Sequence, residues 1–534
     1  MTETFSGPPS DVAELFATND VPARLAPEAL ARLGEAAAKI LRDDPWRLLE
    51  IPGVRPEQAD FFARRLLGAQ AGRHDPRRAG ALAAHLLLRA AGDGHTITPA
   101  KAVLSALEAF DPGDAVEALR ASIAAGDIAA VMDEASENEL LGLARLTVAE
   151  ETVAEGLARL TATADPLPEA DGVPAAVCES GVSVLAGAPE AVEEVLQRLL
   201  GAPGVIVTAP TDRAARALGG ARSLHLLLEP GPAGYSRGED RPLEADLVVV
   251  AEADTLDVEH AAALVEACMD GTHLVLAGDP AAPSPSGAGR VLADVIASGT
   301  VTVTELPAAP RDVIGRLTAA ARAGTLAPVE SADREVVIVP AAEAREAAHR
   351  AVQLVTDSIP RALGIPAEEI LVVTPVRRGE AGAVALNQTL KERLNPGPGP
   401  YDAGDRVVAV TDLPSAAAGE FGTVTAAHPA EGTLDVAFPS GDATVPGSAV
   451  RHGWAVTVLR AQGTRWPAVV AVLPGEAGGA LSRALAVGAF SRARRHLSVV
   501  HAAGPELARA VRDRTEPPRR TRLSALLREN MADL

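Results

Sequence analysis

Lysine is almost missing from this 534-residue chain: Lys39, Lys101 and Lys391 are the only three. None stands near a glycine-rich turn between a strand-like and a helix-like run. An ordinary phosphate-binding loop, in which a lysine reaches the terminal phosphates, is therefore excluded along the whole chain. Aromatics are nearly as scarce, at 2% of residues, so the cores have to be built from Leu, Val and Ala. Cysteine is limited to Cys178 and Cys268, without a C-x-x-C or a matching histidine spacing. That excludes a disulfide framework and gives no reason to expect a metal site. No apolar run approaches the ~18 residues of a membrane span. The opening MTETFSGPPS has neither a basic n-region nor an apolar h-region. The expectation is a soluble, cytoplasmic protein with no membrane partner.

What is present is acidic charge, unevenly spread. The formal net charge of -22 argues against indiscriminate coating of nucleic acid, which depends on neutralising phosphates. Residues 131–200 hold fourteen Asp and Glu against Arg145, Arg159 and Arg198, whereas residues 481–534 hold eleven Arg against five acids. The length allows three or more domains.

The acidic stretch surrounds the turn Gly187-Ala188-Pro189-Glu190-Ala191-Val192-Glu193-Glu194, which follows the apolar run Val182 to Ala186 and opens a helical pattern. It has the position and length of a G-x-x-x-x-G-K-[ST] loop, with Gly187 kept but Val192, Glu193 and Glu194 where Gly, Lys and Ser/Thr belong. A unit charge ~4 Å from a phosphate near a surface is worth roughly 4 kcal/mol at an effective dielectric of about 20, so glutamate for lysine reverses a term of that size. Further β-branched runs follow at Val205 to Thr208, Leu247 to Val250, Leu274 to Ala277 and Val301 to Thr304, alternating with helical patterns. Such alternation predicts a parallel sheet covered by helices, with functional groups at the carboxyl ends of its strands.

Earlier in the chain, DPWRLLEIPGVRPEQADFFARRLLG holds Ile51-x-Gly53-Val54 and Ala59 at the spacing of a helix-hairpin-helix. In that motif the hairpin N–H groups and the following helix N-terminus meet a DNA phosphate. Arg55 replaces the second hairpin glycine, and a plain helix pair joined by a Pro-Gly turn fits the same residues. Trp46, Phe61 and Phe62 are expected in the core, and His95 is expected to be structural.

The ordered phrases GAPEAVEE, APTDRAARAL, SLHLLLE, VVVAEAD and LVLAGDPAAPSPSGAGRVLADVIASG resemble the motif series of RecD-like ATP-dependent DNA helicases of superfamily 1. The DPWRLLEIPGV and GHTITP phrases are similar to that family's N-terminal region. LVVTPVRRG looks like the entry to its second RecA-like domain, TVLRAQGT looks like T-v-H-K-x-Q-G-S, and VGAFSRAR looks like Y-T-A-x-T-R-A-K. The resemblance implies an α/β fold of two RecA-like domains, preceded by an all-α helix-hairpin-helix region and carrying a small SH3-like barrel. The implied division is 1–110 helical, 111–165 an acidic helical connector, 166–330 the first RecA-like domain, 331–400 with 451–534 the second, and 401–450 the barrel.

The resemblance also assigns roles. The active family uses ATP and magnesium, with a D-E pair holding metal and orienting the attacking water. Here Ala251 stands for the first carboxylate and only Glu252 remains. Ala282 stands for the glutamine after Gly278-Asp279. Arg311, after Leu306-Pro-Ala-Ala-Pro310, and Arg492 align with the arginines that grip the transferred phosphate, and are equally suited to bonding carboxylates across the cleft. Gly187, Pro189, Glu193, Glu194, Ala251, Asp279, Gln462 and Gly463 mark the degenerate nucleotide site. Pro210, Thr211, Arg213, Thr374, Arg377 and Arg378, with Gly53 and Arg55, mark the DNA-facing positions. The expectation is a homologue that binds single-stranded or forked DNA, uses no cofactor and has lost or nearly lost ATP hydrolysis. The alternatives are an active 5′-to-3′ helicase with an atypical nucleotide site, and a protein-interaction module without DNA binding.

Overall fold

Asp44 and Gly53 shape the first part of the fold. Asp44 Oδ1 accepts a hydrogen bond from Trp46 N (3.1 Å) and starts the 3-10 turn Pro45–Glu50. Gly53 takes φ +85°, a conformation open to glycine, and the helix Pro56–Leu67 follows with Arg55 N donating to Gln58 Oε1 (2.9 Å). Trp46 is buried, its indole N–H donates to Asp60 (2.9 Å), and Arg78 clamps the same carboxylate at 2.8 and 3.0 Å. Phe62 packs edge-on to Phe16, with ring centroids 6.0 Å apart. Phe61, expected in the core, is 44% exposed, because a helix turns about 100° per residue and Phe62 holds the inward face.

The computed structural model describes residues 11–532 apart from 23–24, 52, 134–136, 170, 220–221, 232–233, 308–309, 327–330 and 332. The MTETFSGPPS opening, Pro52 of the hairpin, and Ala308 and Ala309 of the phrase before Arg311 lie outside those residues. Contacts divide the chain into two units, Met1–Val148 with Arg520–Arg522, and Ala149–Arg519 with Leu523–Leu534.

The first unit is mainly helical, but the stretch 111–165, expected to be an acidic helical connector, also contains strands. Strands β1 (Thr98–Pro99), β2 (Ile128–Asp133) and β3 (Asn138–Leu143) form an antiparallel sheet in the order β1-β3-β2. The ladder runs from Ile128↔Leu143 to Asp133↔Asn138. Its Ala- and Glu-rich composition resembles a helix. The turn backbone decides otherwise, with Gly126 at φ +81° and Glu137 at φ +53°.

The strands of the second unit begin with β4 (Val182–Ala186), β5 (Val205–Thr208), the short hairpin β6 (Pro230–Gly231) and β7 (Gly234–Tyr235), β8 (Leu247–Ala251), β9 (His273–Gly278) and β10 (Thr302–Glu305). The longer strands make a parallel sheet in the order β10-β4-β9-β8-β5. β4, β8 and β9 are buried along their whole length, as strands covered on both faces must be.

A second parallel sheet starts with β11 (Val336–Pro340) and β12 (Ile370–Thr374). The chain then leaves it for β13 (Arg406–Ala409), β14 (Phe421–His428), β15 (Thr433–Phe438), β16 (Gly441–Pro446) and β17 (Val450–His452). It returns through β18 (Ala455–Thr457), β19 (Trp466–Leu473) and β20 (Ala493–His501). The parallel order is β11-β20-β19-β12-β18, and the insertion is a five-stranded antiparallel sheet in the order β16-β15-β14-β13-β17. Alternate residues of β15 (Leu434, Val436, Phe438) turn into the insertion's own core with Val407, Val424 and Val445. The α/β class with two parallel sheets, a helical N-terminal region and a small β insertion is the one the motif series led one to expect.

Candidate functional site

β4 ends at Ala186, and the helix Pro189–Leu199 begins after two residues. The expected loop length is therefore not realised as a loop. Pro189 pre-sets the first helical position, and Ala191 N and Val192 N donate back to Ala188 O at 2.9 and 3.1 Å. N–H groups that would face a phosphate are spent on the helix's own first turn. Val192 is 5% exposed and packs with Leu185, Val207 and Ala251; a glycine there would leave the turn free to open, whereas valine anchors it to the sheet. Gly187 is retained for packing, since a Cβ there would sit 2.9 Å from the Leu306 Cβ.

Each glutamate at this helix start has an arginine partner. Arg465, which follows Thr464 and precedes β19, pairs with Glu190 and lies 3.6 Å from Glu193. Arg311 Nη2 donates to Glu194 Oε2 at 2.7 Å, and Arg198 is 3.9 Å from the same carboxylate. The Arg311 side chain is 75% exposed and that of Arg465 is 14% exposed, so Arg465 makes the more strongly desolvated pair.

Deeper in, β8 delivers Ala251 into the hydrophobic core and then Glu252, which adopts the left-handed region (φ +49°, ψ 43°), uncommon for a residue with a Cβ. Glu252 Oε2 accepts from Gly463 N at 3.1 Å and from Arg492 Nη1 at 3.0 Å. The Arg492 side chain is 3% exposed. Asp254, two residues on, accepts from Asp279 N at 3.1 Å. Burial first, then the charges of Glu252 and Asp279, push its carboxyl up to about 7. Asp279 itself is clamped by Arg322 of the helix Val313–Arg322, with Nη2 2.5 Å from Oδ2. Ala282 is buried, and Gln462 Nε2 donates to Pro283 O (2.5 Å). A cavity of about 210 Å³ remains between these groups, and Glu193, Glu252, Asp254 and Asp279 face it beside Arg213, Arg465 and Arg494.

The positions expected to face DNA separate into two groups. Thr211 is 1% exposed, donating to Gly463 O at 2.6 Å and accepting from Ala214 N at 3.2 Å as a helix cap. Thr374 is fully buried, with its hydroxyl on Ala381 O (3.0 Å). The Arg213 guanidinium lies 4.3 Å from the Trp466 ring centroid, and Glu420 accepts from the backbone N of Asp212 and Arg213 at 2.6 and 3.2 Å. Thr211 and Thr374 are thus buried at their strand ends, whereas Arg213 is half-buried against Trp466 and faces the cavity. Pro210 is half-buried beside Gly463, whose φ is +73°. Arg377 and Arg378 are exposed, as are Gly53 and Arg55 in the first unit. Arg460 lies close enough to Arg377 to feel its charge: burial lowers the Arg460 pKa, Asp412 opposes this, and Arg377 and Arg451 add to the lowering.

Sequence reading missed Arg465, Arg322 and Asp254. The first follows Q-G-T and the last closes A-E-A-D, so both were adjacent to motifs. Arg322 carries no motif signal, since only the fold brings it to Asp279.

Residues 9–97 match the family of the ATP-dependent RecD2 DNA helicase HHH domain, and residues 183–338 match an AAA domain family. The chain is 27% identical over 522 residues to the ATP-dependent RecD2 DNA helicase of Deinococcus radiodurans, covering 88% of this chain and 71% of the relative. It is 30% identical over 317 residues to the RecBCD enzyme subunit RecD of Mycolicibacterium smegmatis, covering 53% of this chain and 55% of that one. Among solved structures, a Bacteroides Pif1 helicase in complex with ADP-AlF3 and ssDNA overlaps 61% of this chain and 90% of its own. Its identity to this chain is 13% and the TM-score is 0.37, too loose a match to carry residue correspondences.

Proposed function

We propose that this chain, which is similar to RecD-like helicases of superfamily 1, binds single-stranded or forked DNA in the cytoplasm without hydrolysing ATP. The observation that carries the reading is the pairing of Glu190, Glu193 and Glu194 with Arg465 and Arg311 at the start of the helix after β4. These arginines neutralise carboxylates where an active relative needs cations for phosphates. A triphosphate entering the cavity would meet Glu193, Glu252, Asp254 and Asp279. It would have to break several ion pairs without a lysine or a metal-binding hydroxyl in return. Helix formation from Pro189 removes the backbone cradle as well.

Titration with a fluorescent ATP analogue and magnesium is expected to show no saturable binding, and phosphate release to stay at background with single-stranded DNA present. DNA-stimulated hydrolysis that disappears in Glu252→Gln would instead establish an active helicase with an atypical site.

DNA binding is supported by the exposed Arg377 and Arg378 and the neighbouring Arg451 and Arg460, together with the family. Each phosphate contact on a single strand contributes about 0.7 to the slope of log K against log salt. Removing both arginines in Arg377→Ala/Arg378→Ala is thus expected to flatten that slope by about 1.4 in a fluorescence anisotropy titration. A rival reading, a protein-interaction module that has given up DNA, draws on the burial of Thr211 and Thr374. An oligonucleotide that fails to bind at low salt would decide for it.

A further inference from the structure

We propose that His225, His260 and Asp412 bind a divalent transition-metal ion of the zinc class, fastening the loop between β13 and β14 to the first parallel sheet's helices. The three come from separate parts of the second unit: His225 from the short helix Leu224–Leu227, His260 from the helix Val258–Ala267, and Asp412 from the insertion. One ligand atom from each lies within 4.8 Å of the others. His260 Nε2 is 3.3 Å from Asp412 Oδ2, and His225 Nδ1 is 3.9 Å from Asp412 Oδ1. Ligands ~2.0–2.1 Å from a tetrahedral zinc stand roughly 3.3 Å apart, so closing the set shortens the separations between ligand atoms by at most about 1.5 Å.

The outer ring nitrogens supply the stronger argument. His225 Nε2 is 2.7 Å from Leu413 O, and a carbonyl only accepts, so Nε2 carries the proton and Nδ1 keeps its lone pair. That lone pair accepts from Tyr235 OH at 2.9 Å, a bond that a metal on Nδ1 replaces. His260 Nδ1 is 2.9 Å from Asp257 Oδ1, which fixes that nitrogen as a donor and turns Nε2 to Asp412. Asp257 is held in place in turn, because it also caps the helix by accepting from His260 N at 3.0 Å. Asp412 Oδ1 accepts from Ala418 N at 2.8 Å. Each histidine therefore has its non-ligating N–H anchored on a carboxylate or a carbonyl, the outer-shell arrangement that orients metal-binding imidazoles. The ligands border a cavity of about 90 Å³, room for a water as a fourth ligand. Imidazole with one carboxylate suits zinc, nickel or cobalt better than magnesium or calcium. No cysteine takes part, which is why cysteine spacing gave no hint of the site.

The test is titration of the full chain with cobalt(II), followed by visible ligand-field absorption, and with zinc, followed by calorimetry. A single saturable ion per chain with a tetrahedral cobalt spectrum is expected, lost in His225→Gln and in His260→Gln. Asp257→Asn keeps every ligand atom and is expected to weaken affinity about 10–100-fold. His428→Gln, which removes a histidine paired with Asp435 on the insertion's sheet, is expected to change nothing. No saturable binding by the unmodified chain would overturn the proposal, and so would binding that survives unchanged in folded His225→Gln and His260→Gln.

Discussion

Arg492→Ala is expected to destabilise the protein by about 3–5 kcal/mol, the usual cost of removing one partner of a buried ion pair. Arg492 is 3% exposed at its side chain and donates to Glu252 Oε2 (3.0 Å) and Ser491 Oγ (3.1 Å). Glu252 would keep the Gly463 N–H, while Asp279, and Asp254 above about pH 7, add negative charge nearby. Most of the expected loss is the penalty of leaving that carboxylate unpaired rather than the net worth of the pair. Removing both charges, in Glu252→Gln/Arg492→Met, is therefore expected to recover most of the stability. Urea unfolding of the three proteins checks this, and a loss under ~1 kcal/mol in Arg492→Ala would mean that the pair is effectively solvated.

The second large effect concerns Asp254 and runs with pH. Its carboxyl is raised from 3.8 to about 7 in the folded protein. A raised acid contributes stability that is fully present below the unfolded value and is lost as pH climbs through the folded one. The native state should therefore weaken between about pH 4 and pH 7 on account of this group, by up to about 4 kcal/mol at 1.36 kcal/mol per unit. Asp254→Asn has no carboxyl to ionise, and its amide oxygen still accepts from Asp279 N. The variant is expected to match the unmodified protein near pH 4 and to exceed it in thermal midpoint at pH 8. Equal midpoints at pH 8 would show that Asp254 is ionised without cost in the folded state.

Both predictions concern a site that was legible in part. Motif order singled out Gly187, Glu252, Asp279, Arg311, Gln462 and Arg492, and the fold brings Gly187, Glu252 and Asp279 to one cavity. It also identified glutamates where lysine and a hydroxyl belong. It missed that the loop itself is gone, because a G-x-x-x-x pattern counts residues and says nothing about where helix hydrogen bonding begins. It assigned Thr211, Arg213 and Thr374 to DNA from the family's motif order, which does not show whether a strand end is later covered by another element. The covering elements, β19 and the insertion, come more than 190 residues later than Thr211 and Arg213. The β2–β3 hairpin was missed for a local reason, since Ala and Glu favour helix unless positive-φ turns set the ends.

By itself the sequence determined composition and its consequences: three lysines, so no lysine for a phosphate loop, and strand runs between 182 and 304 whose alternation with helical patterns predicts the first parallel sheet. These are properties of residue type and short-range period, which need no partner to be expressed. Tertiary structure alone decided the pairing of charges. Glu190 meets Arg465 across 275 positions, Glu252 meets Arg492 across 240, and His225 comes to Asp412 through a separate insertion. Electrostatic energy depends on distance and burial, and neither is a function of spacing along the chain. The glutamates that read as a repelling loop therefore become, in the fold, one side of a set of ion pairs.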